Sequence, residues 1–485
     1  MLGRWWMVLV LAAATAGLLA IGAGSLVRYV FPAAAVVLAA HLCSVDPPRY
    51  IGLLLWLWAL TPLVRRIADF QAGWQDPSMV LLTPYLATAV CFVGPVIRTI
   101  LRPRPSPHWP PGRVMFVLTV LGVGLGIPLG FVASPAGATV DALNWLLPVG
   151  FGAWCATQVD RRADIERTVV RTLAAIAVVV GAYGLAQFVN PLPWDADWMR
   201  NADMRSIGQP LPFEVRVFST MHSPGVMTLF VLSALVCWLA MPTLSGLLAA
   251  GLGTVAMILS QVRTGWLAFA LSAPLVLAGT QVRDQLRAVL LMFAVVLVLV
   301  PLFPVLDDGG LLTSRAESLS DSPAFDRSGA DRLEGHGRAL EFVSRYPLGA
   351  GVGVAPGWIE EAIGMRDSTF VASLVQLGAA GTLFYMLGLC LLTGSLWRYY
   401  RSTSRREGIG LACAGLGMVC TVPLAVPTVG PAGALLWLIV GLSTAEATAR
   451  VRAQVAVSVD GEDESRRPLV PSPSGVWNES AGASS

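Results

Sequence analysis

The chain lacks the charge of a water-soluble protein. Only 13% of its 485 residues are charged, 55% are hydrophobic, and the mean hydropathy is +0.67. Soluble domains carry about 25% charged residues, and here the deficit extends along the whole sequence. Because a soluble fold could not hide this much apolar surface, the composition indicates that lipid is the solvent for much of the chain.

Lysine is absent, so all 33 basic residues are arginines. The net charge is only +3, which gives no reason to expect a nucleic-acid partner. The seven cysteines all lie in apolar stretches, away from loops where an oxidising compartment would pair them. No Cys/His cluster has the spacing of a metal site. We therefore expect packing cysteines and no metal.

Apolar runs long enough to cross a membrane recur along the chain. Crossing roughly 30 Å of hydrocarbon takes about 18–20 apolar residues, and about fourteen segments are candidates. The candidates are residues 5–27, 29–45, 51–64, 79–97, 114–134, 141–159, 168–190, 224–242, 243–260, 264–281, 288–306, 370–393, 408–426 and 432–447. We predict an all-α fold, a polytopic transmembrane helical bundle of about 12–14 spans. The short segments 29–45 and 51–64 leave a re-entrant pair open as an alternative.

Arginine-rich loops indicate the orientation, because such loops stay in the cytoplasm. The loops after the fourth, sixth, tenth and twelfth candidate spans are arginine-rich and fall on one side. This predicts a multi-pass membrane protein with both termini cytoplasmic. Arg65 and Arg66 fall on the wrong side.

The same topology divides the chain into five parts. They are N-terminal transmembrane helices (1–139), central transmembrane helices with an outer loop at 190–223 (140–306), an extracytoplasmic loop (307–369), C-terminal transmembrane helices (370–448) and a disordered cytoplasmic tail (449–485). Long polar loops between spans are uncommon unless they are functional.

The extracytoplasmic loop contains a helical pattern at 331–346. Four residues recur at spacings of three and four: Leu333, His336, Leu340 and Val343. The pattern predicts an amphipathic helix that lies on the membrane with its arginines toward the headgroups. The run PLGAGVG follows at 347–353, and its alternating glycines permit a tight backbone path and close approach of a ligand.

These segments resemble the signature of the O-antigen ligase and polymerase family, which includes Wzy-type polysaccharide polymerases. RLEGHGRALEFVSRYPLGAGVG at 332–353 is followed by DSTFVASLVQLGAAGTLFY at 367–385. The family pattern is an arginine, a short helix, a Pro-Leu-Gly-x-Gly turn, then a polar pair that opens a span. RVFSTMHSPGVMTLF at 216–230 and SQVRTGWLAF at 260–269 match more loosely. The resemblance covers roughly residues 140–445.

The resemblance implies glycosyl transfer from a polyprenyl-diphosphate-linked glycan to an acceptor hydroxyl, with the lipid diphosphate leaving. It also implies the bacterial cytoplasmic (inner) membrane as the location, and no cofactor, nucleotide sugar or metal. We expect a polymerase of lipid-linked repeat units for a surface or exopolysaccharide. The expected partners are the donor glycan, the bilayer and other polysaccharide assembly proteins. A ligase that transfers the glycan to another acceptor, and a transporter or flippase, remain alternatives.

Three residues are the predicted catalytic groups. Arg263 interrupts the apolar stretch 258–270. A charge within a membrane span is costly, so we expect it to have a function. The alternative is that its side chain extends to the lipid headgroups. Arg216 lies in a polar loop and suits a diphosphate. Asp367 stands where ligases of the family carry a histidine, and this difference favours a polymerase. The expected role of Asp367 is to act as a base or to orient the acceptor hydroxyl, and capping of the following helix is the alternative. The predicted substrate-binding residues are Arg332, Arg338, His336, Arg345 and His222, with packing favoured for His336.

Overall fold

The computed structural model describes residues 5–101, 112–202, 207–306, 322–354, 356–364 and 367–465. Within these ranges the secondary structure is helical apart from one β-bridge between Gly208 and Val215. The helices are α1 (Trp6–Ala20), α2 (Gly24–Val45), α3 (Pro47–Ala72), α4 (Thr83–Leu101), α5 (Arg113–Ala133), α6 (Pro135–Ala156), α7 (Arg162–Val189), α8 (Pro193–Asn201), α9 (Pro224–Ala240), α10 (Leu247–Leu259), α11 (Arg263–Gly279), α12 (Val282–Leu306), α13 (Ser322–Arg345), α14 (Pro356–Ile363), α15 (Thr369–Ser402), α16 (Arg406–Cys420) and α17 (Gly430–Ser465). The all-α prediction is confirmed.

Several of these helices have the length and composition of membrane spans. In the described part of the chain six qualify, namely α2, α3, α5, α7, α15 and α17, and shorter apolar segments accompany them. Each candidate span overlaps a helix, although 5–27 also covers the start of α2 and 408–426 continues beyond the end of α16. Segments 29–45 and 51–64 correspond to α2 and α3, helices of 22 and 26 residues joined at Asp46, which favours two full spans over a re-entrant pair. The total of 12–14 spans stays a prediction.

Ion pairs gather several helix ends at one end of the bundle. Arg405 Nε lies 2.7 Å from Glu166 Oε2, and Arg406 Nη2 lies 2.7 Å from Asp284 Oδ2. The starts of α7, α12 and α16 and the end of α15 therefore meet at what we call the arginine-rich end. Three of the four arginine-rich loops thus share one side, as predicted. Which side is cytoplasmic stays a prediction. The opposite end, which contains residues 190–202, 207–223, 260–263 and 421–429, is called the loop end.

The last helix is longer than the sequence predicted. α17 continues to Ser465, whereas the transmembrane part was expected to end at 448 and disorder to begin at 449. No proline or glycine occurs between 442 and 460, and Arg450 Nε pairs with Glu446 Oε1 at 2.8 Å one turn earlier, so nothing local ends the helix. Residues 466–485 of the predicted tail lie outside the described residues.

The predicted loop helix exists, but it begins earlier. α13 begins at Ser322, not at 331. Leu333 and Leu340 are 76% and 51% exposed, as residues of a lipid-facing surface would be, and the membrane orientation of this face stays a prediction. Ala339 is buried, and Phe342 and Val343 pack with it against α15. The small Ala339 side chain lets the two helices approach closely. Residues 307–321, 355 and 365–366 of this loop lie outside the described residues.

The PLGAGVG segment enters a break in α15. Gly378 has φ 70° and ψ −173°, which interrupts the helix. In a regular helix Ala379 N would donate to Val375 O. Here Ala379 N donates to Pro347 O at 2.8 Å, and Ala350 N donates to Val375 O at 2.7 Å. The segment therefore replaces the hydrogen bond lost at the break, as irregular backbone at membrane depth requires.

The three glycines of this segment meet protein backbone. Gly349, Gly351 and Gly353 have φ of 77°, 93° and 92°, which L side chains rarely adopt. A Cβ at Gly351 would lie 2.3 Å from Gly130 N, and one at Gly353 would lie 2.4 Å from Ala138 N. The close approach predicted from the glycine spacing is therefore made by α5 and α6 rather than by a ligand.

Replacing Gly351 with alanine should destabilise the protein. Overpacking of this kind costs roughly 1–3 kcal/mol, and the positive φ adds strain. The matched control is Gly337→Ala on α13, where a Cβ would meet no neighbouring atom within 4 Å. Thermal unfolding in detergent should show a lower Tm for Gly351→Ala and an equal or higher one for Gly337→Ala. Equal Tm values for the two variants would contradict the close packing.

Candidate functional site

The junction between α10 and α11 is a short irregular turn at the loop end. Ser260 Oγ accepts a hydrogen bond from Thr228 Oγ1 of α9 at 2.9 Å. Gln261 adopts φ 55°, in the left-handed region. Trp266 Nε1 of α11 donates to Met257 O of α10 at 3.1 Å. The turn is thus tied to all three helices that surround it.

Arg263 is the first residue of α11 and is half-buried. The sequence suggested a charge within an apolar stretch, but the structure places it where the helix reaches the loop end. The α11 N-terminus has no side-chain cap hydrogen bond. A helix N-terminus carries partial positive charge, so a cation placed there is repelled when no ligand is bound. The same combination of positive charges attracts a bound anion. The position of Arg263 therefore suits a phosphate ligand.

Arg216 reaches the same turn from the segment that precedes α9. Its Nε donates to Ser260 O at 2.8 Å, and its Nη2 donates to Gln261 O at 3.4 Å. These two carbonyls belong to residues three and two positions before Arg263. They thus orient the Arg216 guanidinium beside the start of α11. The structure brings two of the three predicted catalytic residues to one turn.

The segment that follows Arg216 is irregular and deeply buried. Residues 217–221 are each at most 1% exposed. Gln187 Oε1 accepts the backbone N–H groups of Phe218 and Ser219, at 3.2 and 2.8 Å. Thr220 Oγ1 donates to a carbonyl in the middle of α3 at 2.8 Å. Protein groups thus satisfy this backbone and fix the position of Arg216.

A buried ion pair supports this segment from α3 and α8. Arg66 Nη1 lies 2.9 Å from Asp195 Oδ1, as an ion pair rather than a directed hydrogen bond, and both side chains are 0% exposed. Arg66 Nη2 also donates to Ser219 O at 2.5 Å. Asp195 Oδ2 accepts hydrogen bonds from Tyr183 Oη at 2.9 Å and Gln187 Nε2 at 3.0 Å. The network therefore joins three helices to the segment that carries Arg216.

Sequence reasoning missed this network, although it contained a signal. Arg65 and Arg66 contradicted the orientation rule, which counts loop charges. In the structure Arg66 is paired with Asp195, and Arg65 Nε lies 3.1 Å from Asp69 Oδ2. Two adjacent arginines on the wrong side of a predicted span were the available signal for buried partners, which lie on the same helix for Arg65 and elsewhere in the chain for Arg66.

His222 lies next to this ion pair. Its ring stacks on Trp198, with centroids 4.8 Å apart and planes 12° apart. Burial and, after it, the nearby Arg66 and Arg65 hold the pKa of the His222 imidazole well below its usual range. Nε2 is buried and has no hydrogen-bond partner among the described residues. A substrate-binding role for His222 stays a prediction.

Asp367 precedes α15 at the loop end and is exposed. The helix cap is formed by Ser368, whose Oγ accepts the Val371 N–H at 3.3 Å. Thr369 N and Oγ1 both donate to Ala425 O, at 3.0 and 3.1 Å, in the loop between α16 and α17. Ser368 rather than Asp367 therefore caps α15, and the catalytic role of Asp367 stays a prediction.

The structure places His336 against the start of α15. Its ring stacks on Phe370 with centroids 5.9 Å apart, and its Nδ1 lies 2.6 Å from Arg332 O. This contact agrees with the packing role that we favoured. It also joins α13 to the region of Asp367.

Two of the remaining loop arginines, Arg338 and Arg345, form ion pairs along α13. Arg338 Nη2 lies 2.6 Å from Glu334 Oε1, and Arg338 Nη1 donates to Ile363 O at 3.3 Å. Arg345 Nη2 lies 2.5 Å from Glu341 Oε1. These pairs are largely exposed, and such pairs contribute little stability. Substrate binding by Arg332, Arg338 and Arg345 stays a prediction.

The helices and the arginine-lined turn define a multi-pass membrane protein with a cationic site at its loop end. Residues 248–386 match the family model described as O-antigen ligase. The match includes Arg263, α13 and the glycine-rich segment, whereas Arg66, Asp195 and Arg216 precede it. No curated protein matches the chain. The predicted resemblance is confirmed, and the match supports membrane glycosyl transfer of the ligase or polymerase type.

Proposed function

We propose that this protein polymerises polyprenyl-diphosphate-linked oligosaccharide repeat units for a surface or exopolysaccharide. The observation that carries the proposal is the meeting of Arg216 and Arg263 at the α10–α11 turn. Two guanidinium groups beside a helix N-terminus suit a diphosphate, because arginine stays charged and binds phosphate oxygens bidentately.

The proposed reaction is a displacement at the anomeric carbon of the donor. An acceptor hydroxyl oxygen forms a bond to that carbon, and the bond from the carbon to the diphosphate oxygen breaks. Arg216 and Arg263 stabilise the negative charge that develops on the leaving diphosphate. Asp367 is the proposed group that accepts the hydroxyl proton or orients the acceptor. The rest of the glycan and the acceptor would lie near α13.

Two features separate this proposal from its alternatives. A ligase would transfer the glycan to a different acceptor, and the description of the matching family model keeps that alternative open. Asp367 at the position of the ligase histidine favours the polymerase. Transporters place their binding groups near the bilayer midplane, whereas Arg263 and Asp367 lie at helix starts and Arg216 contacts the carbonyls at the end of α10.

The test is turnover by the full chain in proteoliposomes, supplied with the lipid-diphosphate oligosaccharide of the host. Product size is read by gel electrophoresis and mass spectrometry. A ladder of repeat units is the expected result. A single transfer to another acceptor would identify a ligase instead. Movement of unchanged substrate across the bilayer would exclude glycosyl transfer as the function.

A further inference from the structure

A cavity lies at the arginine-rich end of the bundle, at the end opposite the α10–α11 turn. Its volume is about 490 Å³. The residue before α5, the last two turns of α15 and the middle of α17 form its walls. Nothing in the proposed glycosyl transfer uses it.

The cavity is cationic. Arg398, Arg401 and Arg450 line it together with one acidic residue, Glu446. Glu446 is already shared, because Arg450 Nε donates to its Oε1 at 2.8 Å and Arg162 pairs with its Oε2. Neither Arg398 nor Arg401 forms an ion pair with a carboxylate in the part of the chain that the structure describes. These two arginines therefore leave a net positive charge in the cavity.

The hydroxyl groups in the walls are occupied by the protein. Ser395 and Ser443 bond to each other, with their oxygens 2.8 Å apart, and Thr444 Oγ1 donates to a carbonyl of its own helix at 3.0 Å. Arg398 Nε donates to Gly394 O of its own helix at 3.2 Å. The Nη groups of Arg398 and the guanidinium of Arg401 are thus the main donors left for a ligand. Arg398 and Arg401 are three residues apart on α15, so they share one face. Such a pair matches the oxygens of a phosphate group.

The cavity lies at the level of a membrane surface. Trp397 is 44% exposed and contacts Tyr400, with ring centroids 5.5 Å apart, near the end of α15. Aromatic residues beside arginines at the end of a span mark the interface between membrane and water. Basic pockets between spans on the cytoplasmic side bind anionic lipid headgroups, and the arginine-rich end is the predicted cytoplasmic one.

We propose that this cavity binds a phosphate group, and that its source is the headgroup of an anionic phospholipid. The lipid chains would lie along the outer surfaces of α5 and α15, while the phosphate contacts Arg398 and Arg401. The proposal does not depend on the proposed glycosyl transfer. Its failure would leave the site at the loop end untouched.

Thermal unfolding of the full chain in mixed micelles tests the proposal. Phosphatidylglycerol should raise the Tm of the wild type, and phosphatidylcholine should not. The double variant Arg398→Gln/Arg401→Gln should lose most of this lipid-dependent shift. Its affinity for phosphatidylglycerol should fall roughly thirtyfold, because each arginine near an anionic surface contributes about 1 kcal/mol to binding.

The matched control is Arg167→Gln. Arg167 is an exposed arginine near the same end, paired with Asp164 at 2.6 Å and absent from the cavity wall. The control should keep the full shift with phosphatidylglycerol. The measured quantity is the difference in Tm with and without phosphatidylglycerol for each variant. A general loss of stability in the double variant lowers both Tm values and leaves this difference unchanged.

Two results would overturn the proposal. One is a phosphatidylglycerol shift of equal size in the wild type and in the double variant. The other is an equal shift with inorganic phosphate alone, which would make the source a soluble anion. Native mass spectrometry gives a second readout, since phosphatidylglycerol should remain bound to the wild type and be lost from the double variant.

Discussion

Replacing Arg263 with alanine should lower glycosyl transfer by about 10²–10³-fold, the loss typical of removing one group that stabilises developing negative charge. The protein should remain folded, because Arg263 lies at a helix end and the turn before it is held by Ser260, Gln261 and Trp266. Product formed per unit time by reconstituted protein is the measurement.

Arg216→Ala should give a loss of similar size. Because both arginines act on one leaving group, the double variant should lose less than the product of the two single effects. Arg263→Lys should recover only part of the activity, since an ammonium group cannot form the bidentate contact. Arg167→Ala is the control and should transfer at the wild-type rate. A folded Arg263→Ala variant with wild-type turnover would contradict the proposed role.

Replacing Asp195 with alanine should destabilise the protein by roughly 3–5 kcal/mol, because the change leaves a buried charge without its partner. Arg66 has no exposed surface through which water could compensate. The change also removes the acceptor for Tyr183 and Gln187. Chemical unfolding in detergent measures the free energy of unfolding for each variant.

Two comparisons isolate the buried pair. Asp164→Ala breaks the exposed pair with Arg167, in which the side chains are 58% and 48% exposed, and should cost about 0–1 kcal/mol. The double variant Arg66→Met/Asp195→Leu should recover much of the stability, because it removes both charges together. Equal losses for Asp195→Ala and Asp164→Ala would show that the pair does not support the fold.

The spans were predictable because a membrane helix is a local property of the sequence. An apolar run of sufficient length identifies it without knowledge of its neighbours. The break in α15 was not predictable in this way. Gly378 reads as one glycine within an apolar run, and its backbone depends on hydrogen bonds from the segment at 347–350.

The candidate site was predictable in part. Arg216 and Arg263 were found through the family resemblance, but their meeting at one turn depends on carbonyls at the end of α10. Arg66 was visible as a misplaced charge, whereas its partner Asp195 lies on the short helix α8, which no local pattern connects to α3. The contact of α13 with α15 was not predictable, because spacing identified large apolar residues, while the contact surface formed around the small Ala339.

The most direct test of the account is equilibrium binding of polyprenyl diphosphate and polyprenyl monophosphate of equal chain length to the purified protein. The account predicts that the wild type and Arg167→Gln prefer the diphosphate. Arg216→Gln and Arg263→Gln should each bind it about 10–100-fold more weakly, from roughly 1.5–3 kcal/mol for a hydrogen bond to a charged group, and lose the preference. An unchanged preference for the diphosphate in both variants would contradict the claim that these arginines bind the leaving group.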